Sequence, residues 1–329
     1  MKDKTHTAKY SVLTKLEEKR GETISGESLA AEIGVSRNAV WKAVCDLRSE
    51  GYKIDAKTNK GYSLSTDCNK LSVQGIRSYL PEQLKKNNIL LYKEVDSTNN
   101  EAKRLIMEST PNKIPYNSVL LAESQTGGRG RRGKSFASPK ADSIYMSFIL
   151  KPALSIEDSL LITIMAAVCV CESIPPALDP KIKWINDIYI NRKKVCGILT
   201  EAISGIESGE LESIVLGIGI NINVPEDVFP GDIRDVAGSI PLEAGFRNRF
   251  AASLIENVLS GHKRLTAGES PIAKYDSYSM MHGAKVMVLK DGNTKAATAK
   301  SICDDGSLLV EYSDGTKSRL RSEEVSIRL

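Results

Sequence analysis

Hydrophobic positions in the first fifth of the chain recur at helical spacing and then switch to strict alternation. Over residues 10–20, Val12, Leu13 and Leu16 share one face, which predicts a short amphipathic helix. Gly21 and Glu22 stop it, and Ser25 can cap a second helix with Leu29, Ala30 and Ile33 inward. Gly34-Val35-Ser36 is a tight turn. Ser36 then caps a third helix over 37–50, in which Val40, Val44 and Leu47 recur at i, i+4 and i+7. Residues 52–56 and 61–64 alternate apolar and polar around a turn at 57–60, the pattern of a β-hairpin. Helix, helix, tight turn, helix and hairpin in that order predict a winged helix-turn-helix over residues 1–66.

Residues 67–80 read as a linker. From 81 to 275 strand-like and helix-like segments alternate: strands at 89–95, 118–123, 143–150, 181–191, 195–202 and 213–220, helices at 98–108, 156–172 and 246–265. In the last of these, Phe250, Leu254, Val258 and Leu265 form the inner stripe. The order is that of a mixed α/β domain, not a regular βαβ series. After Gly283, five short apolar runs are separated by Asp291-Gly292, Asp305-Gly306 and Asp314-Gly315, which predicts a small β-barrel over 276–329. The fold class is α+β.

Composition narrows the chemistry. Apolar residues make up 41% and charged residues 26%, an ordinary globular mixture. The polar N-terminus has no signal-peptide core, and the longest apolar stretch, 159–171, is too short to span a bilayer. No membrane association and a cytoplasmic location are expected. The six cysteines form no CxxC or zinc spacing and read as reduced thiols. With only His6, His262 and His282, a His-based triad is excluded, so any catalysis falls to Lys, Arg and carboxylates. The net charge of +4 is mild, but residues 1–66 hold 12 basic against 9 acidic side chains. Ser36, Arg37, Asn38, Trp41, Lys42 and Arg48 on the third helix and Lys57 and Lys60 on the hairpin turn predict DNA binding, helix in the groove and hairpin on the backbone. The alternative is a small interaction domain whose basic residues are only solvated.

Gly128 to Ser135 literally matches the P-loop pattern GxxxxGK[ST]. A P-loop needs a helix directly afterwards. Phe136-Ala137-Ser138-Pro139 and then a strand follow instead, and three arginines would crowd the cradle. The segment reads as a flexible, glycine-punctuated loop presenting Arg129, Arg131, Arg132 and Lys134 to a polyanion.

Asp96-Ser97-Thr98-Asn99, Gln125 with GGRGRRG at 127–133, Lys183-Trp184-Ile185-Asn186-Asp187, the run KVCGILTE at 194–201 and Gly217-Ile218-Gly219-Ile220-Asn221 stand in the order seen in biotin–protein ligases. With its N-terminal winged helix, the chain resembles the bifunctional form that is also the biotin-operon repressor. The resemblance implies a class II synthetase-like ligase domain, a C-terminal SH3-like barrel and biotin–[acetyl-CoA-carboxylase] ligase activity. It implies that Ser97, Thr98, Asn99 and Gln125 bind biotin, joined by Arg129, Gly130 and Arg131 of the loop and by Lys194. It assigns Arg132, Lys134, Phe136, Asn186 and Asn221 to the nucleotide, Arg131, Lys194 and Asp187 to catalysis, and Asp187 to Mg²⁺ with ATP. The implied partners are the biotin carboxyl carrier protein, operator DNA and, with biotinyl-5′-AMP bound, a second copy of the chain. Three positions depart from the family pattern: Phe136 stands for Trp, Ile185 for Pro and Glu323 for Gly. The competing readings are a ligand-sensing transcription factor without ligase activity, a lipoate-type ligase, and a ligase with no regulatory role.

Overall fold

The computed structural model describes residues 4–57, 60–110, 113–138, 142–152, 159–204, 211–290, 292–321 and 324–327. Pro139 and Glu323 lie outside them. The chain forms two compact units, Met1–Lys86 with Leu242–Ser253, and Asn87–Pro241 with Leu254–Leu329.

The first unit contains α1 (Lys4–Glu18), α2 (Gly26–Ile33), α3 (Arg37–Ser49), β1 (Ile54–Lys57), β2 (Gly61–Leu64) and α4 (Val73–Tyr79). The expected apolar stripes form its core: Val12, Leu16, Leu29, Val40, Val44, Leu47 and Leu64 are all but fully buried. Both predicted caps are made. Ser25 Oγ accepts the Ser28 N–H at 2.9 Å and Ser36 Oγ the Ala39 N–H at 3.2 Å. Ile24 and Tyr62 exchange backbone hydrogen bonds of 2.9 Å, so the hairpin gains a third extended segment. Gly61 permits that approach, because a Cβ there would collide with the Ile24 carbonyl, and its φ of +125° disfavours side chains.

The segment 67–80 was expected to be a linker and instead carries α4. Leu71 and Ile76 are buried, and Ser72 caps the helix by accepting the Gly75 N–H at 2.9 Å. Asn248 accepts from the Ser72 N–H at 3.0 Å and donates to the Lys70 carbonyl at 3.0 Å. Its apolar residues Leu71, Val73, Ile76 and Leu80 belong to or flank a short helix, and a side chain that helps order it lies 176 positions away.

The second unit contains β3 (Ile89–Val95), α5 (Thr98–Met107), β4 (Val119–Gln125), β5 (Ile144–Leu150), α6 (Ser159–Ser173), β6 (Lys181–Lys183), β7 (Asp187–Ile190), β8 (Lys193–Ser204) and β9 (Leu211–Ile220). Its seven-stranded sheet runs β3-β4-β5-β9-β8-β7-β6, parallel only at β3–β4. Next come α7 (Arg247–Thr266), which counts with this unit from Leu254 on, and α8 (Ile272–Tyr278), which periodicity did not reveal. The predicted stripe of α7 is buried. The five C-terminal strands all form: β10 (Lys285–Lys290), β11 (Asn293–Ile302), β12 (Leu308–Tyr312), β13 (Lys317–Leu320) and β14 (Glu324–Ile327) make an antiparallel sheet in the order β13-β12-β11-β10-β14.

One strand differs from expectation. Residues 181–191 are not continuous but fold as the β6–β7 hairpin, with Lys183 opposite Asp187. Trp184 and Ile185 lie between the two strands and are both buried. The Trp184 indole donates to the Gly306 carbonyl at 3.0 Å and the Tyr275 hydroxyl to the Ile185 carbonyl at 3.2 Å, so the turn is fixed from two sides. Among the described residues no helix is long and apolar enough to cross a membrane.

Replacing Gly61 by Ala is expected to destabilise the first unit by about 3 kcal/mol. A urea melt followed by circular dichroism checks this; an unchanged midpoint would show that the hairpin tolerates a side chain there.

Candidate active site

The site is built on a sheet face that glycines keep bare. In the β8–β9 ladder Gly197 pairs with Gly219 and Leu199 with Gly217. On β9, Ile218 and Ile220 point to the opposite, buried face, so the Gly-Ile-Gly-Ile run gives one strand an apolar side and an empty side. Two side chains occupy the space this leaves. A Cβ on Gly217 would collide with the Asn99 amide, and one on Gly219 would lie 2.5 Å from the Phe136 ring. A Cβ on Gly197 would meet the same ring at 3.0 Å. Phe136 therefore lies flat over a pair of glycines, and beside it a cavity of about 240 Å³ opens.

One end of the cavity is neutral and polar. Ser97 holds the N-cap position of α5 without making a side-chain cap bond. The cap comes from β4: Gln125 Oε1 accepts the Thr98 N–H at 2.8 Å, and Gln125 Nε2 donates to Ser138 Oγ at 2.9 Å. Ser147 Oγ lies 2.7 Å from Thr98 Oγ1 and 2.6 Å from Asn99 Oδ1. Asn99 Nδ2 donates to Glu201 Oε2 at 2.8 Å, while Lys103 Nζ donates to Glu201 Oε1 at 2.7 Å. Burial pushes the Glu201 carboxyl up, but the bonds from Lys103 and Asn99 outweigh it and hold the group below its ordinary range. The expected cluster Ser97, Thr98, Asn99 and Gln125 is thus brought together on the cavity wall. Ser147, Glu201 and Lys103 were missed. Strand parity places Glu201 on the face of Gly197, and Lys103 is one helical turn beyond Asn99, so the sequence carried a signal for both.

The other end is cationic. Arg129, Arg131, Arg132, Lys134, Lys183 and Lys194 line it, and among the described residues Asp187 is the one carboxylate on this wall. The loop expected to be flexible is folded on itself as a small hairpin. The Gly130 N–H donates to the Lys134 carbonyl at 2.7 Å, the Phe136 N–H to the Gly128 carbonyl at 2.9 Å, and Arg129 bridges Ser135. At its tip Arg132 has a φ of +56° and Gly133 of +73°. Arg129 Nη1 donates to Asn100 Oδ1 and Arg131 Nη1 to Asn186 Oδ1, both at 3.3 Å. Asp96, held well below the usual carboxylate range by its bonds from Arg104 and Asn100, anchors the start of α5 behind them. Among the described residues no helix follows Ser135 before β5, so the literal P-loop match carries no P-loop.

Lys194 Nζ lies 2.7 Å from Asp187 Oδ1, an ionic contact outside hydrogen-bonding angles. The β6–β7 turn supplies Asp187 and Asn186, whose amide donates to the Ile198 carbonyl at 2.9 Å. Asn221 is the one expected site residue of this unit that stands off the cavity wall. It is buried, its Nδ2 donates to the Gly238 carbonyl at 3.1 Å, and its Oδ1 has no partner.

In the first unit Ser36, Arg37, Asn38, Trp41, Lys42, Lys57 and Lys60 are exposed, as a surface for DNA requires. Trp41 is 54% exposed, an unusual position for an indole. Arg48 is also exposed, but its Nε and Nη2 donate to the Ile54 carbonyl at 2.7 and 2.5 Å and tie α3 to the hairpin.

Comparison with known proteins fits both surfaces. Residues 91–221 match the biotin/lipoate A/B protein ligase family, and residues 9–63 match an HTH domain. The bifunctional ligase/repressor BirA of Bacillus spizizenii is 35% identical over 303 residues, covering 90% of this chain and 91% of that protein. BirA of Escherichia coli is 30% identical over 338 residues, covering 100% of this chain and 99% of that protein. The structure of the Aquifex aeolicus biotin protein ligase in complex with biotin and ATP aligns with a TM-score of 0.58 and 26% identity, covering 73% of this chain and 98% of that one. The chain belongs to the biotin/lipoate A/B protein ligase family, in the group of bifunctional ligase/repressors that carry an N-terminal HTH domain.

Proposed function

We propose that the chain is an ATP-dependent biotin–protein ligase that forms biotinyl-5′-AMP and transfers biotin to a lysine of the biotin carboxyl carrier protein, and that it also represses biotin genes. The observation that carries the reading is the polarity of one cavity. A neutral end rich in donors and acceptors suits a small urea ring, and an end with six cations and one carboxylate suits a triphosphate.

In the first step the biotin carboxylate attacks the α-phosphorus of ATP and pyrophosphate leaves. Two anions must meet, and the cationic end lowers the cost of their approach. Arg131 and Lys194 would each stabilise the developing charge by about 3 kcal/mol. Among the described residues Asp187 is the one wall carboxylate, and a carboxylate together with nucleotide phosphates is a donor set in which Mg²⁺ is commonly held. When bound there, the ion supplies charge neutralisation of the phosphates. Phe136 offers a flat face for the adenine, without the N–H that a Trp would add. In the second step the acceptor's lysine amine attacks the carbonyl of the mixed anhydride and AMP departs. Holding the anhydride beside the incoming amine contributes much of that step, and no enzyme nucleophile is needed.

The polar end also weighs against a lipoate-type ligase. A dithiolane would leave Thr98, Asn99 and Gln125 facing a ring with no donor, at a cost in unmade hydrogen bonds. A transcription factor without ligase activity would not account for a cavity whose wall combines Arg131, Lys194 and Asp187. For the repressor role, the exposed face of α3 and the hairpin lysines would meet DNA as a homodimer on two half-sites, formed when biotinyl-5′-AMP is bound. Six free thiols agree with a cytoplasmic setting.

Biotin-dependent exchange of label between pyrophosphate and ATP tests the ligase reading. Arg131→Ala and Lys194→Ala should each reduce it about 100-fold, and near-wild-type exchange in both would remove them from the chemistry. Gly219→Ala should displace the Phe136 ring and raise the KM for ATP more than the KM for biotin; equal changes would detach Phe136 from the nucleotide. Lys42→Ala should weaken operator binding and lower the slope of log K against log salt by about 1. A gel shift with biotin and ATP that finds no specific site in the wild type would contradict the repressor role.

A further inference from the structure

By simple strand alternation Lys194 belongs on the other face of its sheet. In β8, Gly197 and Leu199 face the cavity, while Cys196 and Ile198 face the core and are almost fully enclosed. Lys194 stands three positions before Gly197, so an unbroken strand would point it with Cys196 into the core, where an ammonium is costly. It lines the cavity instead, 2.7 Å from Asp187. The register accounts for the reversal. Asp187 lies opposite Gly197 and Ile188 opposite Cys196, but Tyr189 lies opposite Lys194, so Val195 is an extra residue in β8. This β-bulge shifts the parity by one and puts Lys194 in the row of Tyr189, on the face of Asp187 and Gly197.

We propose that Gly238 is a positioning residue for Lys194: it admits the segment 236–238 to the edge of β8, where that segment holds the bulge and keeps the Lys194 ammonium in the cavity. The proposal rests on the ligase reading, with Lys194 as the cation that meets the biotin carboxylate. It extends that reading to a residue outside the described cavity wall.

The bulge is held from the side on which β9 has ended. β9 stops at Ile220, and the Asn221 N–H donates to the Val195 carbonyl at 2.9 Å. Beyond that point Lys194 is bridged to Ala237. The Lys194 N–H donates to the Val236 carbonyl at 2.7 Å, and the Gly238 N–H donates to the Lys194 carbonyl at 2.8 Å. The Asn221 side chain donates to the Gly238 carbonyl at 3.1 Å and ties the segment to the end of β9. Both backbone polar groups of Lys194 are thus engaged by one short segment, which fixes the backbone at the bulge and with it the direction of the Cα–Cβ bond.

Gly238 makes the approach possible. A Cβ there would lie 2.6 Å from the Lys193 Cβ, a contact with the root of a side chain and not with its flexible end. In Gly238→Ala the segment must therefore move away from β8, and its two bonds to Lys194 loosen together. Lys194 then loses its fixed direction, and its ammonium leaves the place beside Asp187.

The test measures Kd by titration calorimetry, without ATP, for biotin and for its methyl ester, which keeps the ring but offers an ammonium no charge. Wild-type protein should bind biotin at least about tenfold more tightly than the ester, the equivalent of one charge-assisted hydrogen bond. Lys194→Ala should lower that ratio several-fold. Gly238→Ala should lower it by a comparable factor and leave the Kd of the ester within about twofold of wild type. Combining the two substitutions should lower the ratio no further than Lys194→Ala alone. Asn221→Ala, which cuts the tie between the segment and β9, should act in the same direction and stands in if Gly238→Ala does not fold. A merely structural role would weaken biotin and the ester in proportion, and the double variant would then lose the product of the single losses. Either of those results overturns the proposal, as does an unchanged ratio in Lys194→Ala, in folded Gly238→Ala or in its stand-in. Wild-type protein with no preference for biotin over the ester also overturns it and leaves the ligase reading intact. Wild-type protein that binds neither overturns the biotin reading itself and the proposal with it.

Discussion

The site depends on the close approach of side chains to a bare strand. Gly217 and Gly219 face the same way on β9, and Gly197 faces Gly219 across the ladder. Three missing side chains let Asn99 and Phe136 lie against the backbone of a central sheet, where packing would otherwise fill the space. The isoleucines between the glycines secure β9 to the core on its other face, so the strand stays ordered although one side of it is empty. The polar pocket and the aromatic platform both follow from that arrangement.

The two ends of the cavity use charge differently. At the cationic end several like charges line one wall, a state that favours whatever brings negative charge. At the neutral end the charges are set back from the wall. Lys103 and Glu201 neutralise each other, and Glu201 holds the Asn99 amide behind the wall. Coulomb attraction tolerates some misplacement of a phosphate, whereas hydrogen bonds to a small ring do not. The neutral end is accordingly the more tightly bonded of the two.

Much of this was legible in the sequence. Helical stripes, caps and the alternating hairpin located the winged helix-turn-helix, and the Asp-Gly turns located the C-terminal strands. The Ser-Thr-Asn start of α5 and the basic loop named residues that the structure brings to the two ends of one cavity. What was not legible depended on distant partners. The segment 67–80 is ordered by Asn248. The β6–β7 turn is set by Gly306 and Tyr275. Arg48 has the position of a DNA contact, yet its guanidinium is engaged with Ile54. Ser147 could be found only once β5 was known to pass under α5. Local periodicity records which face of an element is buried, but not what it is buried against.

The central claim is that one cavity makes an acyl-adenylate and releases it to an amine. Its most direct measurement is transfer of labelled biotin from ATP, Mg²⁺ and biotin to an apo carboxyl-carrier domain, read by mass spectrometry. The account predicts one added biotin on a single lysine and none when that lysine is arginine. Adenylate formation without transfer, or no label on the carrier under any condition that forms adenylate, would contradict it.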